Sequence, residues 1–325
     1  MGSGCGGLRL RPPTLTQALR CPLVTRVAAI DCGTNSVRLL IADLDADRLV
    51  DVSRRMEIVR LGEGVDRTGR LAPAAIERTR VALADYAAEI AAAGVSATRM
   101  VATSATRDAD NADDFRAMVV DTLGLAPEVV TGDEEARLSF AGAVRGLDAE
   151  PPYLVVDIGG GSTEFVAGTD SVERAISVDI GCVRLTERHL HDDPPTPEQV
   201  AATEHDIVGA VDRALLEVGG AVSRTLVGLA GSVTTVTAIA LGLDTYRPER
   251  IHHARVTRGE VAKVTADLLA ATRQERLAIP VMHPGRADVI GAGALILRVI
   301  MERAGAEAVI ASEHDILDGI AWSLA

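Results

Sequence analysis

Aromatic residues are nearly absent. One Trp, three Tyr and three Phe make up 2% of the 325 residues. Any core must therefore be filled by Ala, Val, Leu and Ile, and the ring platforms on which single-stranded nucleic acid stacks have little to be built from. Positive charge is in deficit as well. The net charge of −13 argues against non-specific binding to nucleic acid or a membrane surface, so a polyanionic substrate would need a local basic lining or metal ions. Cysteine is scarce: Cys5, Cys21, Cys32 and Cys182 form no CxxC pair and no metal-ligand spacing. Cys32 and Cys182 read as small buried residues of a reducing compartment, and the expected location is cytoplasmic. No apolar run approaches the ~18 residues of a transmembrane helix. Residues 1–25 lack periodicity and an adequate apolar region for a secretory signal. They read as a disordered leader, with the folded chain starting near Thr25-Arg26.

What the chain does have is apolar residues (47%) and length enough for two domains. One stretch stands out, Tyr153-Leu-Val-Val-Asp157-Ile-Gly-Gly-Gly161-Ser-Thr-Glu164-Phe165. The apolar run reads as a buried strand ending in Asp157. Gly159, Gly160 and Gly161 remove the Cβ atoms that would keep a ligand off the backbone. With Ser162 and Thr163 they make a turn able to aim several N–H groups at one phosphate. Asp157 and Glu164 would flank that anion and could hold a hard divalent cation, Mg²⁺ or Mn²⁺, through oxygen. The plan recurs at Ile30-Asp31-Cys-Gly33-Thr34-Asn35-Ser36, where Asp31 aligns with Asp157, Gly33 with Gly159 and Ser36 with Ser162. Such a repeat predicts two similar lobes, 26–148 and 149–325, whose hairpins face each other across a cleft. The alternative, two unrelated hairpins with Asp-Gly turns, has to explain a match that covers both turns and their flanking strands.

Between and beyond the hairpins, strands alternate with helices, which gives an α/β class with mixed sheets. Pro73 and Gly94 bound one helix. Thr103-Ser104-Ala105-Thr106-Arg107 precedes another, and Arg107 in its first turn would oppose the helix dipole unless an external anion offsets it. Glu135 opens the helix after Gly132. Acids there suit the dipole, or Glu135 points into the cleft; the residues leave both readings open. Ala230-Gly231-Ser232 joins a strand to a helix N-terminus, a third anion-ready place. A long apolar helix is expected from Pro284 to about Arg303, and the C-terminal helix after Gly319 is expected to cross back onto the first lobe. Two lobes enclosing a phosphate cleft suggest an actin-like, ribonuclease-H-like architecture.

With these residues in view, the chain resembles the exopolyphosphatase / guanosine pentaphosphate phosphohydrolase (Ppx/GppA) family from about Arg26 to its end, in the short form without extra C-terminal helical domains. The motifs carrying the resemblance are Ile30–Ser36, Ala102-Thr-Ser-Ala-Thr-Arg107-Asp-Ala-Asp-Asn111, Thr131-Gly-Asp-Glu-Glu135-Ala136, Asp157–Glu164, Gly228-Leu-Ala-Gly231-Ser-Val-Thr234 and Arg286-Ala-Asp288. The resemblance implies Mg²⁺-dependent hydrolysis of the terminal anhydride of inorganic polyphosphate, or of the 5′-γ-phosphate of pppGpp. It places the catalytic glutamate at Glu135 and the metal carboxylates at Asp157 and Glu164. The phosphate-binding positions fall on Asp31, Gly33, Thr34, Asn35, Ser36, Arg107 and Gly159–Thr163, alongside Gly231 and Ser232 from the helix-terminus reading. Position 32 is Cys and position 34 Thr, where the family often has an aliphatic residue and Ser. Short chains are expected to be preferred. Neither nucleic acid nor membrane is an expected partner, and a homodimer is left open. A catalytically weak polyphosphate or alarmone sensor is the competing class.

Overall fold

The computed structural model describes residues 1–2, 25–45, 48–219 and 225–325. Residues 3–24 of the expected leader, with Cys5 and Cys21, lie outside the described residues. The first sheet contains β1 (Thr25–Cys32), β2 (Ser36–Asp45), β3 (Arg48–Ile58), β4 (Ala97–Ala102) and β5 (Glu128–Val129) in the order β3-β2-β1-β4-β5. The second contains β6 (Tyr153–Ile158), β7 (Thr163–Gly168), β8 (Val172–Val178), β9 (Thr225–Leu229), β10 (Arg255–Thr257) and β11 (Ala308–Ala311) in the order β10-β11-β9-β6-β7-β8. The pairings match as well as the order. β1/β2 and β6/β7 are antiparallel hairpins, β2/β3 and β7/β8 extend them antiparallel, and β1/β4 and β6/β9 are parallel. The two sheets are thus one ribonuclease-H-like plan used twice, the actin-like duplication.

The helices among the described residues are α1 (Val65–Thr68), α2 (Pro73–Ala93), α3 (Ser104–Arg107), α4 (Ala112–Leu123), α5 (Gly132–Val144), α6 (Cys182–His189), α7 (Pro197–Glu217), α8 (Ala230–Ala240), α9 (Pro248–Ile251), α10 (Arg258–Ala270), α11 (Arg273–Leu277), α12 (Ile290–Arg303) and α13 (Ile316–Trp322). Local chemistry sets their ends. Pro73 occupies the first position of α2, where its missing N–H costs nothing, and Gly94 closes the helix at φ 67°. Thr196 and Gln199 satisfy each other's backbone at the start of α7, and Asp315 and Asp318 do the same at α13. None of the described helices is long and apolar enough to cross a membrane.

The core is aliphatic, as the composition requires. α2 and α4 cover one face of the first sheet, with Ile30, Leu39, Leu83 and Val119 inside. α7, α8, α10 and α12 pack against the second sheet. The other faces are covered crosswise. α5, which comes after the first sheet in the chain, lays Ala136, Phe140 and Ala143 on the second, while α13, at the chain end, lays Ile316, Leu317 and Ile320 on β1, β2 and β4 of the first. Burying each of those three larger α13 side chains contributes about 1.5–3 kcal/mol.

Where α5 and α13 cross, the backbones nearly touch. A Cβ on Gly142 would overlap the Asp315 carbonyl oxygen, and one on Gly319 would overlap that of Leu138. α13 therefore begins at Ile316, before Gly319, and Gly319 is its contact point rather than its start. The expected helix from Pro284 is also interrupted. Pro284–Arg286 forms a 3₁₀ turn and α12 begins only at Ile290. The break has a packing cause: Gly285 lies against Ile58 of β3 and Asp288 pairs with Arg60 at 2.7 Å.

Candidate active site

The two hairpin turns are built alike. Gly33 N–H donates to Ser36 O (2.9 Å) and Gly159 N–H to Ser162 O (3.0 Å). Backbone amides from later in the chain take up the carbonyls of each turn. Thr34 O accepts from Gly62 (2.8 Å), and Asn35 O from Val59 and Arg60 (3.1 and 2.9 Å). Gly159 O accepts from Cys182 (3.0 Å) and Gly160 O from Val183 and Arg184 (2.9 and 3.1 Å), all at the start of α6. Gly161 O accepts from the Arg184 guanidinium (2.7 Å). In a planar trans peptide the N–H points opposite to the C=O. Drawing these carbonyls outward therefore turns the amides of Asn35, Ser36, Gly160 and Ser162 inward, toward one another. The space they face is a cleft of about 100 Å³ that also meets Asp31, Glu135, Asp157, Gly231, Ser232 and Arg286.

The third wall is the N-terminus of α8. Ala230 takes φ 66°, uncommon for a residue with a Cβ, and no side chain caps the helix. Its first-turn amides are thus open to an anion. A Cβ on Gly231 would come within 2.4 Å of the Arg286 guanidinium, so a larger residue there would displace that side chain. Arg286 donates to Thr235 Oγ1 (3.3 Å) and makes no ion pair among the described residues.

Three carboxylates line up behind the second turn. Asp157 and Glu164 are cross-strand partners on β6 and β7, and Glu135 reaches them from the first turn of α5. Each accepts from a neighbouring side chain. Ser139 Oγ gives to Asp157 Oδ2 (2.7 Å), Ser177 Oγ to Glu164 Oε1 (2.7 Å) and Arg107 Nη1 to Glu135 Oε2 (3.1 Å). All three acids are buried, and burial is the main reason each carboxyl sits above its ordinary range. Repulsion from Glu164 adds to this for Glu135, held well above its usual value against Arg107, and for Asp157, pushed up to about 8. Glu164 is raised too, with Ser177 and Ser162 opposing. Asp157 Oδ1 remains for a cation beside the Glu164 carboxylate, and oxygen donors of this kind suit a hard divalent ion. Among the described residues no group of three or more His, Cys, Asp or Glu could hold a metal by itself, so substrate oxygens and water would complete the coordination.

The first hairpin is electrostatically different. The position matching Glu164 is Arg38, the register partner of Asp31. Arg38 binds Asp31 Oδ2 through Nε (3.0 Å) and Nη2 (2.7 Å) and bridges to Asp315 Oδ2 at the cap of α13. Burial raises the Asp31 carboxyl against Arg38, and Asp31 Oδ1 is left without a partner at the cleft. Burial pushes Asp315 up as well, but Arg38, the Leu317 amide and Arg54 outweigh it and hold it low.

Of the sequence-derived positions, Asp31, Gly33, Thr34, Asn35, Ser36, Glu135, Asp157, Gly159, Gly160, Ser162, Gly231 and Ser232 all reach this one cleft. Four others stand apart from its lining. Glu164 lies behind Asp157. Gly161 is spent on contact between the turns, since a Cβ there would come within 2.7 Å of Ser104 Oγ and 2.9 Å of Thr34 Oγ1. The Thr163 hydroxyl donates to Ile180 O (2.6 Å), because strand alternation points it to the face opposite Glu164. Arg107 acts through Glu135 and Val130 O. It also ends α3 rather than beginning a helix, so the expected conflict with a helix dipole does not arise. Thr34 presents its backbone, its hydroxyl being engaged by Ser104 (2.9 Å). Sequence reasoning passed over Arg38, Ser139, Asp315 and the role of Arg286. Arg38 could have been found by extending the hairpin alignment two residues past Ser36, and Ser139 by its place one turn after Glu135.

Comparison with known proteins identifies the family. The chain matches the Ppx/GppA phosphatase family over residues 40–325. It is 52% identical over 316 residues to Exopolyphosphatase 2 of Mycobacterium tuberculosis H37Rv, covering 93% of this chain and 99% of that protein. A crystal structure of an exopolyphosphatase-like protein is 41% identical with a TM-score of 0.89, covering 92% of this chain and 97% of the other. The Ppx/GppA member from Aquifex aeolicus is 33% identical with a TM-score of 0.79, covering 93% and 98%. Matched to the family over residues 40–325 and 52% identical to a relative across 93% of its length, the chain belongs to the Ppx/GppA phosphatase family.

Proposed function

We propose that this protein is an exopolyphosphatase that removes the terminal phosphate of inorganic polyphosphate by attack of water, with short chains preferred and the lobes 26–148 and 149–325 enclosing the chain end. The observation that carries the proposal is the convergence of both turns' amides on one small space beside Glu135. Phosphoryl transfer asks chiefly for positioning and charge compensation, and the inward amides, the α8 N-terminus and Arg286 supply both. The 52% identical relative named exopolyphosphatase supports the choice of substrate.

In this reading the terminal phosphoryl group rests between the Gly33–Ser36 and Gly159–Ser162 turns. Glu135, fixed by Arg107, aligns a water with the terminal phosphorus and takes its proton. The new P–O bond forms as the bridging P–O bond breaks, and orthophosphate leaves. Asp157 and Glu164 would hold Mg²⁺ or Mn²⁺, which when bound would offset charge on the phosphoryl oxygens. The raised affinity of Glu135 for a proton makes it an effective base once ionised. The Ser162 hydroxyl is turned to Glu164, a proposed cation ligand, so a covalent phosphoserine is not invoked.

One observation favours a second reading, hydrolysis of pppGpp. Past Arg38, Gly231 and Arg286 the cleft opens into a cavity of about 460 Å³ whose walls combine Arg54 and Arg55 with Met56, Tyr246 and Met282. Such a cavity could take a nucleoside. Phosphate release from short polyphosphate, long polyphosphate, pppGpp and ATP, measured side by side, decides. Fastest turnover of short polyphosphate is expected. Preference for pppGpp supports the second reading, and binding without turnover of any of them would mark a sensor and refute both.

A further inference from the structure

Ser139 lies one turn beyond Glu135 on α5, is fully buried, and sends its hydroxyl across to β6, where it meets Asp157 Oδ2 at 2.7 Å. It belongs to none of the motifs that carry the family resemblance. Its partner is one of the two carboxylates assigned to the cation, and its helix carries the proposed base. The helical rise per residue fixes Ser139 about 6 Å along the axis from Glu135. The bond therefore sets the rotation of the Asp157 carboxylate and its distance from Glu135 together. One turn further on, Gly142 seats α5 against the backbone of α13, so the helix is braced on the side away from its N-terminus.

We infer that Ser139 is a positioning residue. By occupying Asp157 Oδ2 from α5, it leaves Oδ1 turned to the cleft for a divalent cation and ties that cation's place to Glu135. The inference rests on the reading of Asp157 and Glu164 as cation ligands. Hydrogen-bond partners of ligating carboxylates typically change metal affinity 10–100-fold when removed.

The test is Mn²⁺ binding to the full-length protein without substrate, measured by electron paramagnetic resonance, for the wild type, Ser139→Ala and Ser139→Cys. The Cys variant keeps the volume and loses the strong donor, so it decides if the Ala variant fails to fold. Mn²⁺ dissociation constants raised about 10-fold or more in the folded variants, with KM for short polyphosphate at saturating Mn²⁺ close to wild type, support the inference. Wild-type Mn²⁺ affinity in either folded variant overturns it. A wild type that binds no Mn²⁺ overturns the cation assignment and this inference with it, and is distinguished from the previous outcome by the wild-type titration alone.

Discussion

Replacing Gly142 by Ala tests how the two connecting helices are held. The new Cβ would fall on the Asp315 carbonyl oxygen, and because both atoms belong to backbones, no rotamer change can relieve the overlap. Reaching ordinary contact requires α5 and α13 to part by roughly 1 Å or more. Overpacking of this kind costs about 1–3 kcal/mol, and the helix preference of Ala over Gly returns about 1 kcal/mol. The net loss is about 0–2 kcal/mol, a fall of up to roughly 8 °C in melting temperature at about 2–4 °C per kcal/mol for a chain of this order of size. Activity should fall further than stability. α5 carries Glu135 and Ser139, α13 carries Asp315, and a misplacement near 1 Å costs about 10²-fold in rate. Gly319→Ala strains the same crossing from the other side at Leu138 O. The double variant should lose less than the sum, since one separation relieves both contacts. Differential scanning calorimetry and steady-state phosphate release are the assays. A Gly142→Ala protein that melts at or above the wild-type temperature with unchanged kcat would refute the reasoning, because propensity would then outweigh contact.

Three further outcomes are expected. Glu135→Gln should cut kcat by about 10²–10⁴ without lowering the melting temperature, since it removes a charge that burial disfavours; substantial residual turnover would dismiss Glu135 as the base. Arg286→Ala should raise KM for polyphosphate about 10-fold or more while affecting kcat less, the loss of a charge-assisted hydrogen bond being about 1.5–3 kcal/mol, and a KM within two-fold of wild type would count against it. Finally, Asp157, Glu135 and Glu164 bind protons more tightly folded than unfolded. The unfolded chain therefore holds fewer protons, and the stability of the metal-free protein should fall as pH rises from the ordinary carboxylate range toward about 8, where Asp157 ionises. Mg²⁺ should flatten that slope. A melting temperature in EDTA that rises between about pH 5 and 8 would show the sign to be wrong.

Much of the site was legible because its parts are local. An apolar run, an Asp and a glycine turn announce a hairpin within a dozen residues, and two such runs announce each other. Pro73 and Gly94 likewise mark a helix from its own ends. What escaped was decided between elements far apart in the chain. Arg38 gains its meaning from Asp315, 277 residues later. Ser139 looks like an ordinary helix residue until β6 is laid beside it. Gly142 and Gly319 lower helix propensity locally, and only the crossing shows the reason. Arg107 was misjudged because a four-residue helix ends at it. The break before α12 came from Ile58 and Arg60 in another sheet's neighbourhood. In Thr163 the alternation of a strand, read one residue out, separates a cleft residue from a structural one.

The outward-drawn carbonyls of the two turns carry a consequence for how such a protein changes occupation over evolutionary time. On the proposed function, grip on the reacting group would come from main-chain atoms, which substitutions leave in place so long as the glycines and their outer anchors persist. Side chains farther along the groove, around Tyr246 and Met282, are free to vary without loosening that hold. The scaffold can exchange one phosphorylated compound for another by altering only what the tail of the guest meets.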